Sequence, residues 1–257
     1  MKVTILGCGA SGGGVPALGG RDGEGDWGQC DPTEPRNRRM RASVLVADGD
    51  TRVLVDTSPD LRAQCLQFGV GRIDAVLYTH DHADHTHGID ELRRLHYLSR
   101  TPIRVFADRE TLASVRGRFA YAFAPDDPSY RPFAVAHEIA GAFTVGSIPV
   151  IPFPQSHGNV TSLGFRFGPI AYSTDFVGLP DESIEILRGV KVWIVDCLKR
   201  EYHPTHASLT IALELLEKVR PGRGILTHMT TSFDYRSLAA ELPPWIEPAY
   251  DGLVLEA

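Results

Sequence analysis

Apolar residues in this chain fall in short runs closed by glycine, proline or aspartate. Val3 to Leu6, Ser43 to Ala47, Arg52 to Asp56, Ile73 to Tyr78, Ile103 to Ala107, Phe143 to Pro154, Ser162 to Phe167, Ile170 to Ser173, Val190 to Val195, Arg223 to Thr227 and a last run around Leu253 to Leu255 read as strands. Asp48-Gly49-Asp50 and Gly168-Pro169 join two of these pairs as hairpins. Helical spacing appears over Leu61 to Phe68, over Thr86 to Leu98 (Ile89, Leu92, Leu95 and Tyr97 or Leu98) and over Arg109 to Phe119. It returns as the stripe Leu209, Leu213, Leu216 and Val219, which Pro221-Gly222 stops. Tyr121 to Pro132 reads as a surface loop that can cover a site. The whole is an α/β pattern, expected as a single domain over 1–257.

The first strand runs into Gly7-Cys8-Gly9-Ala10-Ser11-Gly12, which matches the dinucleotide fingerprint letter by letter. That fingerprint needs a helix behind it, and here Gly13, Gly14, Pro16, Gly19 and Gly20 follow instead. The stretch is better read as a glycine loop whose backbone passes close to something, a metal site or a substrate. Composition narrows the partners. A formal net charge of -6 gives no basic excess for general nucleic-acid binding. Cys8, Cys30, Cys65 and Cys197 are scattered with no C-x-x-C pair, so neither a disulfide framework nor a cysteine zinc knuckle is indicated. No apolar stretch is long enough for a membrane span, and Val3 to Leu6 is too short for a signal-peptide core. A soluble cytoplasmic protein is expected, with no membrane partner.

The candidate chemistry begins at Tyr78-Thr79-His80-Asp81-His82-Ala83-Asp84-His85. His80, His82, Asp84 and His85 crowd six positions after an apolar run, and imidazole with carboxylate suits zinc, manganese or iron(II). His80 and His82 point the same way on an extended chain, and Asp84 and His85 need a reversal to come across from them. That geometry suits two metals side by side. Other strands also end in such residues, at His157, Asp175 and His228, and His206 precedes a helix. Asp56 closes a strand either as a partner for a ligand histidine or as a cap of the following turn. Arg36 to Arg41 is either a solvated loop or a source of guanidinium groups for a phosphate.

On these residues the chain resembles the metallo-β-lactamase superfamily. His80, His82, Asp84 and His85 match its H-x-H-x-D-H motif, His157 its third-motif histidine, Asp175 its bridging aspartate and His228 its last ligand. The resemblance implies a four-layer αβ/βα sandwich with the metals along one rim. The glycine-rich opening, Arg38 to Ser43, His206 before a helix, Leu226-Thr227-His228 and Tyr250-Asp251-Gly252-Leu253 resemble the phosphonate-utilisation phosphodiesterases, relatives of the tRNA 3′-processing endonucleases. The same opening also resembles proteins of pyrroloquinoline quinone biosynthesis. Those phosphodiesterases carry a cysteine cluster and a second histidine for an extra zinc; here only Cys30 remains and Thr231 takes the histidine position. No structural cysteine-bound zinc is therefore expected, and no inserted tRNA-binding arm is seen.

The resemblance implies two divalent metals, zinc or manganese: His80, His82 and His157 on the first, Asp84, His85 and His228 on the second, Asp175 between them. Two cations about 3.5–4 Å apart share a water, lower its pKa and direct hydroxide at phosphorus. His206 is the candidate general acid, with helix capping or core packing as its ordinary alternative and His203 as a competitor. Asp84 is the second candidate catalytic group. Arg39, Arg41, Ser43 and His203 are candidate substrate contacts. The expected activity is hydrolysis of a small phosphorylated sugar or nucleotide of the cyclic-phosphate type. Thioester or lactone hydrolysis and a cofactor-biosynthesis carrier are the alternatives. A second copy of the chain is admitted as a partner.

Overall fold

The computed structural model describes residues 1–124 and 131–257. In chain order its elements are β1 (Lys2–Gly7), β2 (Ser43–Asp48), β3 (Thr51–Val55), α1 (Leu61–Phe68), β4 (Ala75–Leu77), α2 (Ala83–Thr86), α3 (Leu92–Ser99), β5 (Ile103–Ala107), α4 (Arg109–Arg118), α5 (Ala120–Phe123) and β6 (Ala134–Glu138). Then follow β7 (Phe143–Val145), β8 (Ile148–His157), β9 (Val160–Phe167), β10 (Ile170–Ser173), α6 (Asp181–Leu187), β11 (Val192–Asp196), α7 (Leu209–Val219), β12 (Arg223–Thr227), α8 (Tyr235–Glu241), β13 (Ile246–Pro248) and β14 (Val254–Glu256). One seven-stranded sheet runs β14-β1-β2-β3-β4-β5-β6 and the other β13-β12-β11-β10-β9-β8-β7.

Strand alternation makes the layers. Val53 and Val55 of β3 and Ala75 and Leu77 of β4 face the second sheet, where they meet a core holding Phe153, Phe165, Phe167 and Trp193. Leu54 and Val76, one residue out of phase, face outwards into a separate cluster with Leu61, Leu92, Leu95 and Leu112 of the helices. On the far side Ile184, Ala212, Leu216 and Leu238 cover the second sheet. Both faces of both sheets are therefore apolar, and the four layers are helices, sheet, sheet, helices. β3 to β6 are parallel, and so are β10 to β13. Parallel strands end on one side, and in open α/β sheets that side carries the ligands.

Three expectations need correcting. The helix over Thr86 to Leu98 is broken into α2, a 3-10 turn at Ile89–Glu91 and α3. Gly88 lies so close to the loop after β3 that a Cβ there would meet the Ser58 carbonyl at 2.0 Å, and its N–H donates to Thr57. This contact bends the chain away from a continuous helix. The run expected over Phe143 to Pro154 is two antiparallel strands, β7 and β8, while the expected last strand is β14 on β1, with β13 before it on β12 in the other sheet. Gly252, at φ 90°, donates to Ile5 between β13 and β14. The glycine loop does pass close to something, and it is the chain itself. A Cβ on Gly14 would lie 2.0 Å from the Arg39 carbonyl, and Gly9 bridges both Arg41 and Met229. The strand β6 and the helices α6 and α8, seven residues or fewer each, were not expected from the pattern. Of the surface loop expected from Tyr121 to Pro132, residues 125–130 lie outside the described residues, and α5 occupies its start.

Candidate metal centre

The strand ends converge as the parallel order requires. After β4 the extended chain places His80 and His82, and the reversal behind them is the single turn α2, which carries Asp84 and His85. From the second sheet come His157 at the end of β8, Asp175 just past β10, Asp196 at the end of β11 and His228 just past β12. Asp56, Asp175 and His228 sit at φ 64°, 56° and 59°. Non-glycine residues rarely adopt that left-handed region, at a cost on the order of 1–3 kcal/mol each. Each buried Val or Leu of the layers beneath contributes roughly 1.5–3 kcal/mol, so the scaffold readily outweighs the strain.

Three groups of donors result: Asp175, Asp196, His206 and His228 form one, and the other two hold the ligands expected from the sequence. Of those two, His80, His82, His157 and Asp175 form one, and Asp84, His85, Asp175 and His228 the other, with the donor atoms within 4.8 Å of one another in each. Asp175 belongs to both of these through different oxygens. Its Oδ2 lies 3.8 Å from His80 Nε2 and 3.9 Å from His157 Nε2, while its Oδ1 lies 3.3 Å from both His85 Nε2 and His228 Nε2. Asp84 Oδ2 completes the second group at 3.0 Å from His85 Nε2 and 3.6 Å from His228 Nε2.

The outer nitrogens of His85, His157 and His80 are tied to the chain. His85 Nδ1 donates to Asp56 at 2.8 Å, and His157 Nδ1 to the Thr205 carbonyl at 2.7 Å. His80 Nδ1 contacts the Thr79 hydroxyl at 3.0 Å, and that hydroxyl donates onward to Asp56. His228 Nδ1 faces Asp196 Oδ1 at 3.6 Å, beyond hydrogen-bond distance, and both atoms are buried without a partner. A proton held at Nδ1 leaves a lone pair at Nε2, the arrangement of metal-binding imidazoles. Nε2 of His80, His85 and His228 are buried without a hydrogen-bond partner. Orphaned buried acceptors are costly, so these atoms fit a cation between them. The residues present thus fit the metals implied by the resemblance.

Electrostatics divides the groups. Burial pushes His80 and His157 below the ordinary histidine range, so they stay neutral. Burial would do the same to His85 and His228, but Asp175, together with Asp84, outweighs it: His85 is held well above its ordinary value and His228 rises to about 9. Asp84 and Asp175 are held low by those same rings against the opposing effect of burial. Protons there occupy the field in which a dication would sit.

His206 lies outside the two ligand groups expected from the sequence yet against them. Its Nε2 is 3.8 Å from Asp175 Oδ2 and its Nδ1 3.3 Å from Asp196 Oδ2. The ring stacks parallel to His228, 5.0 Å between centroids. Ser208 caps α7, so capping does not account for His206. His203, half-buried, has its ring 5.2 Å from that of His206. Asp196 was missed as a candidate although its strand ends as that of Asp175 does; the same strand-end rule finds it. Asp56 is a ring partner, holding His85 and the Thr79 amide.

Two of the candidate substrate contacts are corrected. Arg39 is 2% exposed and donates to the carbonyls of Thr230 and Phe233, so it braces the loop beyond His228 and does not meet a substrate. Ser43 is fully buried, its hydroxyl donating to the carbonyls of Val55 and Asp56. Arg41 is forked onto Asp60, and Arg36 onto Glu34. Cys30, the remaining cysteine of its region, donates to the carbonyls of Thr231 and Phe233.

Residues 51–229 match the model of the β-lactamase superfamily domain. A crystal structure of a diphosphatase of the PhnP family is 33% identical and superposes with a TM-score of 0.89, covering 99% of this chain and 96% of that one. An octanoyltransferase of Porphyromonas gingivalis is 31% identical over 98% of this chain and 51% of its own length. A ribonuclease Z of a Bradyrhizobium species is 31% identical over 52% of this chain and 46% of its own length. The chain spans about half the length of the curated relatives it matches. Among the described residues no helix is long and apolar enough to cross a membrane.

Proposed function

Since the chain belongs to the metallo-β-lactamase superfamily, in the branch of the PhnP family, we propose that it is a metal-dependent phosphodiesterase acting on a small phosphorylated substrate. The observation that carries this reading is the pair of donor groups sharing Asp175, with His206 at their edge and bound to neither side by a fixed hydrogen bond at Nε2. His80, His82 and His157 would hold one divalent ion, and Asp84, His85 and His228 the other. Zinc or manganese suits this donor set. Bound there, the ions would supply an activated water and charge stabilisation on the phosphoryl oxygens.

The chain supplies the rest. Asp175 keeps the two positions together through its separate oxygens. Asp84, at 12% exposure the most open of the site carboxylates, accepts the proton of the attacking water. Asp196 Oδ2 holds His206 Nδ1, which turns Nε2 towards the site. His206 then delivers a proton from Nε2 to the departing oxygen, a role that contributes about 10²–10⁴-fold. An acyl-transfer hydrolase has less need of such an acid beside the donors.

The test is a parallel assay of the metal-loaded chain on bis-p-nitrophenyl phosphate and on a glutathione thioester. Turnover of the phosphodiester with little thioester hydrolysis is expected, together with two metals per chain. The reverse preference would replace this reading with thioester hydrolysis.

A further inference from the structure

Asp81 stands between two candidate ligands, His80 and His82, yet it belongs to none of the donor groups. Its carboxylate turns instead to the last turns of α4. Asp81 Oδ2 accepts from Ser114 Oγ at 2.5 Å and from Arg118 Nη2 at 2.6 Å. The same Arg118 nitrogen donates to the Asp81 carbonyl at 2.5 Å and to Ser114 Oγ at 2.8 Å. Ser114 and Arg118 are four residues apart, so they share one face of the helix. Leu112 and Val115 fix that helix in the outer cluster with Val76 of β4 and Tyr78 just behind it, where the motif emerges. Beyond the ligands the chain meets the same helix end again. The His87 ring packs edge-on against Phe119, 5.5 Å between centroids.

This grip matters most for His82. The outer nitrogens of His80, His85 and His157 have partners at Thr79, Asp56 and Thr205. His82 is exposed, and among the described residues its ring makes no hydrogen bond. Its backbone is what fixes it. The Asp81 carbonyl leading into His82 is held by Arg118, and the His82 carbonyl leading out accepts from Thr86 Oγ1 at 2.9 Å. The peptide units on both sides are thus clamped, the first from α4 and the second from within α2. The ring carried between them lies 4.4 Å from that of His80 and 5.1 Å from that of His157. The Arg118 and Asp81 side chains are 35% and 34% exposed, and an ion pair so open to water contributes little to overall stability. Its effect is local, on where the His82 ring is carried.

We propose that Arg118 is a positioning residue for the first metal position: from α4 it holds the Asp81–His82 peptide, and through it the His82 ring, against His80 and His157. This rests on the two-ion reading of the centre and not on the choice of substrate. A ligand held only through its backbone loses its aim when the clamp goes, whereas a ring tied at Nδ1 keeps it. The second position does not share the dependence. His85 is held through its own ring by Asp56 and through its carbonyl by the Thr57 amide, and His228 comes from the other sheet.

The experiment withdraws zinc from the loaded chain with a chromophoric chelator, for wild type, Arg118→Gln and Arg118→Lys. His157→Ala and His228→Ala assign the two phases of release, since the first removes a ligand of the first position and the second a ligand of the second. The expected result for Arg118→Gln is a first-position affinity weakened about tenfold or more, with the second-position affinity within about twofold of wild type. Arg118→Lys should recover most of the loss, because all three contacts run through one nitrogen that an ammonium with three donors can replace. Equal weakening of both phases means a merely loosened fold and overturns the proposal, as does an unchanged first phase. If Arg118→Gln fails to fold, Asp81→Asn removes the same charged contact and is read in the same way. Wild type that holds a single zinc ion removes the two-ion reading. The clamp is then upheld if Arg118→Gln weakens that ion and overturned if its affinity is unchanged.

Discussion

The two sheets reach the same rim by different means. The first sheet delivers His80, His82, Asp84 and His85 from one short stretch behind β4, with Asp56 from the neighbouring strand as support. The second sheet sends His157, Asp175, Asp196, His206 and His228 from five separate points along the chain. Local backbone fixes the first set, because a turn of helix decides where Asp84 and His85 go. Packing fixes the second, because His157, Asp175 and His228 meet only if β8, β10 and β12 lie in register. A cluster of neighbours tolerates small shifts of its sheet, whereas a dispersed set inherits every one of them.

Substitutions can break this contrast or sharpen it. The largest effect is expected for Asp175→Ala, since each donor group loses an oxygen. Metal content should fall below two per chain and turnover furthest of the set. A fully loaded centre in that variant, by metal analysis, would remove the shared role. His206→Ala comes next: turnover should drop by about 10²–10⁴-fold while metal content stays as in wild type. Loss of metal in this variant would make His206 a ligand instead of an acid. Asp196→Asn and Asp56→Asn compare the supports of the two sides, and each should cost about 10–100-fold. Asp56→Asn touches His85 and should show mainly in metal affinity. Asp196→Asn reaches both His206 and His228 and should lower turnover even at saturating metal. Matching behaviour of the two variants would erase the contrast.

The smallest effect concerns a seam away from the metals. Asp251 accepts from the Cys8 amide and thiol and from the Met40 amide, joining the glycine loop to the C-terminal run. Burial raises its carboxyl to about 7. The unfolded chain releases that proton near pH 3.9, so the folded protein binds it more tightly. Stability from this group is full at low pH, declines as pH rises from about 4 to 7, and is flat above. Asp251→Asn should remove that part of the slope. Denaturant midpoints measured at several pH values check it, and an unchanged slope would place the ionisation elsewhere.

Much of this was legible in the residues. His80 to His85 lie together in the sequence, and the strand-end rule picks out His157, Asp175 and His228, because apolar runs mark strand ends well. What escaped is what side-chain letters do not carry. The Thr205 carbonyl that holds His157 belongs to the backbone and leaves no mark at position 205. Arg39 and Ser43 read as polar groups free for a substrate, but each is buried among backbone carbonyls supplied by distant segments. The break in the helix expected over Thr86 to Leu98 comes from the approach of Gly88 to Ser58, a contact between segments that the helical spacing does not show.

The left-handed backbone at Asp56, Asp175 and His228 has a consequence for how the chain can vary. At these positions a replacement is judged twice, once for its donor atom and once for its φ. Glutamate keeps the carboxylate and glutamine an amide, yet neither accepts the angle as asparagine and aspartate do. β-Branched residues meet the angle worst, and glycine meets it freely without a donor. The centre is thus guarded by shape at the points where its chemistry could otherwise drift one conservative substitution at a time.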